Sequence, residues 1–359
     1  MTEPSRYDLN AGRALPRVVE IDVRVLPEPW RGICERNRIR PHAVLGYENE
    51  AGSIKIWPAG NIIARGIERG EHLKANAFVE SSSGNFVEGL AQVLRQILER
   101  DPSFPVKRVV AVVSKSLQPG KVAALRKNDL IAIEFAEDAA DAMRTVERLA
   151  GEDGYWYTRQ YWNADNPASY RPVGEEIARR LPDLGMLACG VGSGGTFLGV
   201  VPVVRAAFES RMAQERMHAT AVAVAPGDSV GGVRTEIGLQ LNGKPGLPWR
   251  PQADDVTYVD LATALRVSAA LWQQYPDDPE RRIVAGESSG FALAGALLAA
   301  LQLEATGRLE QLRNPAGEIV LAFIAPDTRE PYREEYEKHG IIVPSSIHSS
   351  FVEKLRATY

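Results

Sequence analysis

From about residue 76 the chain alternates short apolar runs, several rich in β-branched residues, with longer amphipathic ones. Arg108-Val109-Val110-Ala111-Val112-Val113 predicts a buried strand, residues 118–127 a short helix, 130–135 the next strand and 139–150 a helix. Met186-Leu187-Ala188-Cys189 leads through a glycine turn into a helix over about 197–212. Residues 219–225 predict another strand and 319–324 the last. Phe86, Leu90, Val93, Leu94, Ile97 and Leu98 share one helical face, and the alanine-rich run 291–303 suits a buried helix. Such alternation predicts an α/β fold of mainly parallel strands with helices on both faces. The stretch 159–170, rich in aromatics, Asn and Pro, interrupts the pattern and marks a domain junction. The Gly- and Pro-rich residues 226–255 predict one long loop. The expected division is an N-terminal arm with part of a large domain (1–40), a smaller mobile domain (41–160), a large domain (161–345) and a tail (346–359).

Composition narrows the function classes. With 359 residues, 45% hydrophobic and 25% charged, the chain can bury a large core. A formal net charge of −4 gives no polybasic basis for nucleic acid or an anionic membrane surface as partner. No uninterrupted apolar stretch reaches the ~18 residues expected of a membrane span. Two cysteines, Cys34 and Cys189, make neither a disulfide framework nor a Cys-rich metal site, and point to a reducing compartment. The N-terminus shows no basic region followed by an apolar run, so a cytoplasmic location is expected. The five histidines lack metal-ligand spacing, so no metal is expected.

Four short segments carry chemistry. Cys189-Gly190-Val191-Gly192-Ser193-Gly194-Gly195-Thr196 follows a strand and opens a helix, which aims backbone N–H groups and the positive helix end at an anion. Gly190, Gly192 and Gly195 match dinucleotide spacing, but the acid required about 20 residues on is misplaced: Glu209 and Glu215 fall in or near the preceding helix and Asp228 lies too far along. Gly-Lys-Ser/Thr is absent too, so a non-nucleotide phosphate is favoured. Ser81-Ser82-Ser83-Gly84-Asn85 is either an ordinary helix cap or a second anion site, with a carboxylate on the N–H groups of Ser83 and Gly84 and the Asn85 amide reaching a ring oxygen. Gly286-Glu287-Ser288-Ser289-Gly290 caps a helix or sets a hydroxyl against a pyridine nitrogen, where it accepts or donates one hydrogen bond. Lys55, in Gly52-Ser53-Ile54-Lys55-Ile56-Trp57, has apolar neighbours, and an apolar pocket favours the neutral amine that attacks an aldehyde.

In this order the four segments resemble the β-family (fold type II, tryptophan synthase β-like) pyridoxal phosphate enzymes, within them the cysteine synthase and cystathionine β-synthase group. Gln160-Tyr161-Trp162-Asn163-Ala164-Asp165-Asn166-Pro167 extends the resemblance, which covers roughly residues 40–330. It implies two open, mainly parallel twisted sheets with pyridoxal 5'-phosphate in the cleft between two domains, and a homodimer. Lys55 would form the Schiff base, Asn85 would meet the ring hydroxyl, and Gly192, Ser193, Gly194, Gly195 and Thr196 would hold the phosphate. Ser288 would face the ring nitrogen, and Ser82, Ser83, Gly84 and Gln160 would bind the substrate carboxylate. The implied reaction is β-replacement on a serine- or cysteine-like amino acid through an aminoacrylate, with a second nucleophile adding. The alternatives are β-elimination of the dehydratase or desulfhydrase type, and a catalytically silent cofactor-binding partner or sensor. Four features depart from the group's pattern: Ile56-Trp57 after the lysine, Phe86 after Ser-Gly-Asn, Glu287 beside Ser288, and the loop 228–234. Trp57, Phe86, Tyr161 and Trp162 are candidates for an unusual substrate pocket, with core packing as the alternative.

Overall fold

The computed structural model describes residues 9–10, 12–82, 84–208, 217–228, 230, 233, 240–241, 244–278 and 281–344. Ser83 and most of 229–243 therefore lie outside the described residues, as do 209–216, where the predicted helix over 197–212 was to end.

Two principal sheets and one short ladder are built from strands β1 (Arg17–Glu20), β2 (Ile39–Leu45), β3 (Ala75–Ser81), β4 (Arg108–Ser114), β5 (Ile131–Ala136), β6 (Gly154–Tyr157), β7 (Leu184–Gly190), β8 (His218–Val224), β9 (Gln240–Leu241), β10 (Lys244–Pro245), β11 (Asp255–Val259) and β12 (Ile319–Ala325). The larger sheet has the order β1-β2-β12-β7-β8-β11, the smaller β5-β4-β3-β6, and β9 pairs with β10 alone. Every pairing within the two large sheets is parallel except that of the edge strand β1 with β2. The strand interiors explain this. β7, β8 and β12 are apolar and buried along nearly their whole length, as strands covered on both faces must be.

The described residues before β3 belong largely to the larger sheet. β1 and β2 extend the larger sheet, and Leu26, Trp30, Ile33 and Cys34 enter its core. The chain crosses to the smaller sheet between β2 and β3, and returns between β6 and β7. The helix Glu287–Ala305 has the length and hydropathy of a membrane span, but it is packed against β7, β8, β11 and β12 and against the helix Leu261–Leu271. Gly290 permits that contact, because a Cβ there would lie 2.3 Å from the Ala264 carbonyl oxygen and the Ser268 nitrogen. This backbone-to-backbone approach fixes the start of the helix, and with it Ser288.

In the larger sheet the chain runs from β7 outward through β8 and β11, then returns to place β12 on the other side of β7. The carboxyl ends of β7 and β12 thus flank a topological switch point, where open α/β sheets bind ligands.

Candidate active site

The predicted site segments follow the carboxyl ends of strands or open helices beside them. After β2, the loop before Lys55 is held by one side chain: Asn49 Nδ2 donates to the Gly46 carbonyl at 2.8 Å and the Ser53 carbonyl at 3.0 Å, while its Oδ1 accepts from Ala51 N at 3.0 Å. Ile54 N donates to the Pro326 carbonyl at 2.7 Å, tying this loop to the end of β12. Ile54, Ile56 and Trp57 are buried around the half-buried Lys55, which immediately precedes the helix Ile56–Glu68. The helix Asn85–Arg100 passes so close that a Cβ on Gly89 would sit 3.0 Å from the Lys55 carbonyl oxygen.

After β7, Gly194 has φ +82° and Gly195 begins the helix Gly195–Ala207. The first N–H groups of any helix have no partner within it. Ser193 Oγ accepts one of them, that of Gly195, at 3.3 Å. Glycine is required by the neighbours. A Cβ at Gly194 would lie 2.7 Å from Trp249 Cδ1, and one at Gly195 would lie 2.0 Å from Asn166 Oδ1. Asn166 cannot withdraw freely, since its Nδ2 donates to the Gln160 carbonyl at 2.6 Å and to Ser193 Oγ at 3.3 Å.

A narrow compartment is lined by Lys55, Asn85, Gly192, Ser193, Gly194, Thr196, Ser288 and Asp327. It adjoins a wider cavity of about 300 Å³ that shares Lys55, Asn85, Gly192 and Ser193 and adds Ser82, Phe86, Gln160, Tyr161, Ser114 and Lys121. The structure thus brings together most of the residues predicted from sequence. Gly195 stands behind the turn against Asn166, and Gly84, with φ +129°, caps its helix; neither is among the lining residues. Ser82 Oγ accepts from Gly84 N at 3.3 Å. Ser83 lies outside the described residues. Of the four aromatics, Phe86 and Tyr161 line the wide cavity, whereas Trp57 is buried in the core and Trp162 packs edge-on against Tyr161 and Tyr157.

Several polar groups at this site have no sequence signature. Asp327, buried just past β12, accepts from Asn85 Nδ2 at 2.7 Å, from Ser288 Oγ at 2.7 Å and from the Tyr332 hydroxyl. Burial raises its pKa, outweighing the pull of these three donors and of Lys121. An acid directly after a buried apolar strand was the available clue. Lys121 is 5% exposed, and its ammonium lies 4.5 Å from the centroid of the Tyr332 ring. Burial lowers its pKa against the pull of Glu287, Asp327, Glu88 and Glu335. Glu287, suspected at the cofactor's edge, is fully buried and is not among the residues lining either compartment.

Glu80, near the end of β3, ties that strand to the segment Thr158–Gln160. It is 0% exposed and accepts from Thr158 Oγ1 at 2.7 Å, Gln160 N at 3.2 Å and Ser81 N at 3.1 Å. Burial outweighs these donors and pushes its pKa from 4.5 up to about 7. The folded state therefore holds this proton more tightly than the unfolded chain. The resulting stability is complete below about pH 4.5 and is lost as the pH rises through about 7. At ~1.4 kcal/mol per unit, the loss is on the order of 3 kcal/mol. Denaturant titrations from about pH 5 to 8 should show Glu80→Gln lacking this slope. Equal slopes in variant and wild type would remove Glu80 as its source.

The chain matches known proteins. The family model described as "Pyridoxal-phosphate dependent enzyme" matches residues 44–309. The N-(2-amino-2-carboxyethyl)-L-glutamate synthase of Ralstonia nicotianae is 33% identical over 265 residues, covering 69% of this chain and 71% of that protein. A cysteine synthase of Staphylococcus aureus is 25% identical over 283 residues, covering 76% and 84%. Among solved structures, O-ureido-L-serine synthase superposes with a TM-score of 0.69 at 20% identity, over 93% of this chain and 95% of that one. A hydrogen sulfide-producing enzyme of Fusobacterium nucleatum gives 0.67 at 19%, over 88% and 94%.

Proposed function

Since the chain belongs to the fold type II pyridoxal-phosphate dependent enzymes, of the cysteine synthase and tryptophan synthase β-like kind, we propose that it performs β-replacement on a serine- or cysteine-like amino acid with Lys55 as its catalytic lysine. The observation that carries this reading is the meeting of Lys55, the glycine turn, Asn85 and Ser288 in one narrow compartment that opens into a second one. The donor set fits pyridoxal phosphate. The glycine turn, with the Ser193 and Thr196 hydroxyls lining the compartment at the start of the helix Gly195–Ala207, suits a phosphate. An amine at the far side suits an aldehyde, and an amide and a hydroxyl suit the polar edges of the ring.

Bound there, the cofactor supplies the electron sink for breaking the bond to the substrate's α-proton. The protein does the rest. Lys55 would hold the cofactor through its aldehyde, and its amine is the group that would take the substrate's α-proton and return it. Ser82 and the Gln160 amide, which line the wide cavity, would receive the α-carboxylate near the start of the helix Asn85–Arg100. Glu80 fixes that floor through Ser81 and Gln160.

Replacement over simple elimination is supported by the 33% identical relative, an N-(2-amino-2-carboxyethyl)-L-glutamate synthase, whose product carries a 2-amino-2-carboxyethyl group on glutamate, the outcome expected of a replacement. Product analysis with an O-activated serine tests the assignment. In the presence of a thiol or an amine nucleophile, a new β-substituted amino acid is expected. Pyruvate and ammonia as the only products, whatever nucleophile is supplied, would sink replacement and leave elimination.

A further inference from the structure

A second ammonium stands on the wide cavity. The described residues lining it include Lys55 and Lys121 and no aspartate or glutamate. Lys121 lies in the first turn of the helix Pro119–Arg126 and is 5% exposed. The wall that carries it is pinned: a Cβ on Gly120 would lie 3.2 Å from the Pro331 carbonyl oxygen, and Gln118 Nε2 donates to Glu335 Oε2 at 3.4 Å. The Lys121 ammonium lies 4.5 Å from the centroid of the Tyr332 ring, whose face attracts the charge. An ammonium also has three N–H donors. Among the described residues it forms no hydrogen bond and no ion pair. Glu287, Asp327, Glu88 and Glu335 act on it at longer range, favouring the charge that burial opposes, and none of them lines the wide cavity. A second polar atom on this wall, Gln118 Oε1, is also buried without a partner among the described residues. Buried donors and acceptors are costly when unpaired. An anion brought against Lys121 supplies the missing acceptor, and an opposite charge at contact favours the ammonium form.

We propose that Lys121 is a specificity-determining residue that receives an anionic group, a carboxylate or a phosphate, carried by the group exchanged at the substrate's β-carbon. The inference rests on the replacement reading of the site. In that reading Lys55 is committed to the cofactor, and Ser82 and Gln160 to the α-carboxylate. Lys121 is then the cation left, among the described lining residues, for a further negative charge. The Ser114 and Ser116 hydroxyls, 2.7 Å apart on the same wall, add donors beside it. A replacement passes an outgoing group and an incoming nucleophile through the space next to one carbon, and either can carry the charge.

The test measures kcat/KM of the full-length, cofactor-loaded protein for two matched pairs. With O-acetyl-L-serine held constant, mercaptoacetate is compared with 2-mercaptoethanol. With 2-mercaptoethanol held constant, O-phospho-L-serine is compared with O-acetyl-L-serine. The wild type should favour the anionic member of at least one pair. Lys121→Met should cut that anionic-to-neutral ratio by about tenfold or more, chiefly through KM, as expected when a charge-assisted hydrogen bond is lost. Lys121→Arg keeps the charge and should hold the ratio within about threefold. A fall confined to the first pair assigns the charge to the incoming group, and one confined to the second assigns it to the outgoing group. Lys121→Gln serves if the Met variant does not fold, and the wild type alone is already decisive: β-substituted products formed without preference in either pair overturn the proposal. A ratio unchanged in a folded neutral variant overturns it too, as does an equal loss with every substrate, which would give Lys121 a role independent of the exchanged group. Pyruvate as the only product of every pairing would instead sink the replacement reading, and the proposal with it.

Discussion

Lys55→Ala is expected to fold, to lose the visible absorption of lysine-bound cofactor, and to turn over its amino-acid substrate at least a thousandfold more slowly. Folding should survive because the backbone bonds of this residue remain: Lys55 N donates to Ser53 Oγ at 3.2 Å and the Lys55 carbonyl accepts from Ala59 N at 3.2 Å. Its buried neighbours Ile54, Ile56 and Trp57 are untouched. The size of the loss follows from two roles on one amine. A positioned general base alone is worth roughly 10²–10⁴ in rate, and the covalent hold on the aldehyde is lost with it. Lys55→Arg separates charge from chemistry. Guanidinium stays protonated with a pKa above about 12 and cannot attack an aldehyde, so this variant should be equally inactive. Small primary amines added to Lys55→Ala should restore part of the proton transfer and none of the covalent anchoring. Retention of colour through dialysis, with more than about a hundredth of wild-type turnover, would remove Lys55 from the mechanism.

The contrast between Lys55 and Asp327 shows what the sequence could carry. Lys55 stands among small and apolar residues, with three loop motifs downstream, so local pattern and order were enough to single it out. The glycine turn was legible for a similar reason: five small residues between a buried strand and a helix have few other uses. Interior strands were legible because burial on both faces writes an unbroken apolar run, and β4 and β12 fall within a residue of the predicted bounds. β2 was not. Arg40-Pro41-His42 breaks its apolar run, yet Pro41 still offers the carbonyl that accepts from Ile21 N at 2.8 Å. Asp327, Glu80 and Lys121 are single polar residues whose burial is set by distant partners. Asp327 meets Asn85 across 242 positions of sequence, and Glu80 meets Thr158 across 78. No local pattern records such a contact, and a lone charged residue beside an apolar segment is ordinarily solvated. The sequence therefore marked the candidate groups, and the fold supplied the buried partners that hydrogen-bond them.

Gly194→Asp should weaken cofactor binding by about a hundredfold, roughly 3 kcal/mol. Three effects add. Gly194 has φ +82°, a left-handed conformation that costs a residue with a side chain about 1–2 kcal/mol, aspartate being among the less penalised. Its Cβ would lie 2.7 Å from Trp249 Cδ1, and Trp249 is buried with its ring set edge-on to Phe197 at 6.2 Å, so little space is free for it to yield. A carboxylate would also stand in the turn whose N–H groups face the phosphate, opposing it by like charge. Gly194→Asn has nearly the same shape without the charge, so it should show the first two effects alone and bind the cofactor more tightly than Gly194→Asp. Equilibrium dialysis against pyridoxal phosphate and against pyridoxal, which lacks the phosphate, isolates the third: the gap between the Asp and Asn variants should appear for the phosphorylated ligand and nearly vanish for the other. A gap of the same size for both ligands, or none for either, would mean that the turn does not hold the phosphate, and the orientation of Lys55, Asn85 and Ser288 toward the ring would then have to be assigned anew.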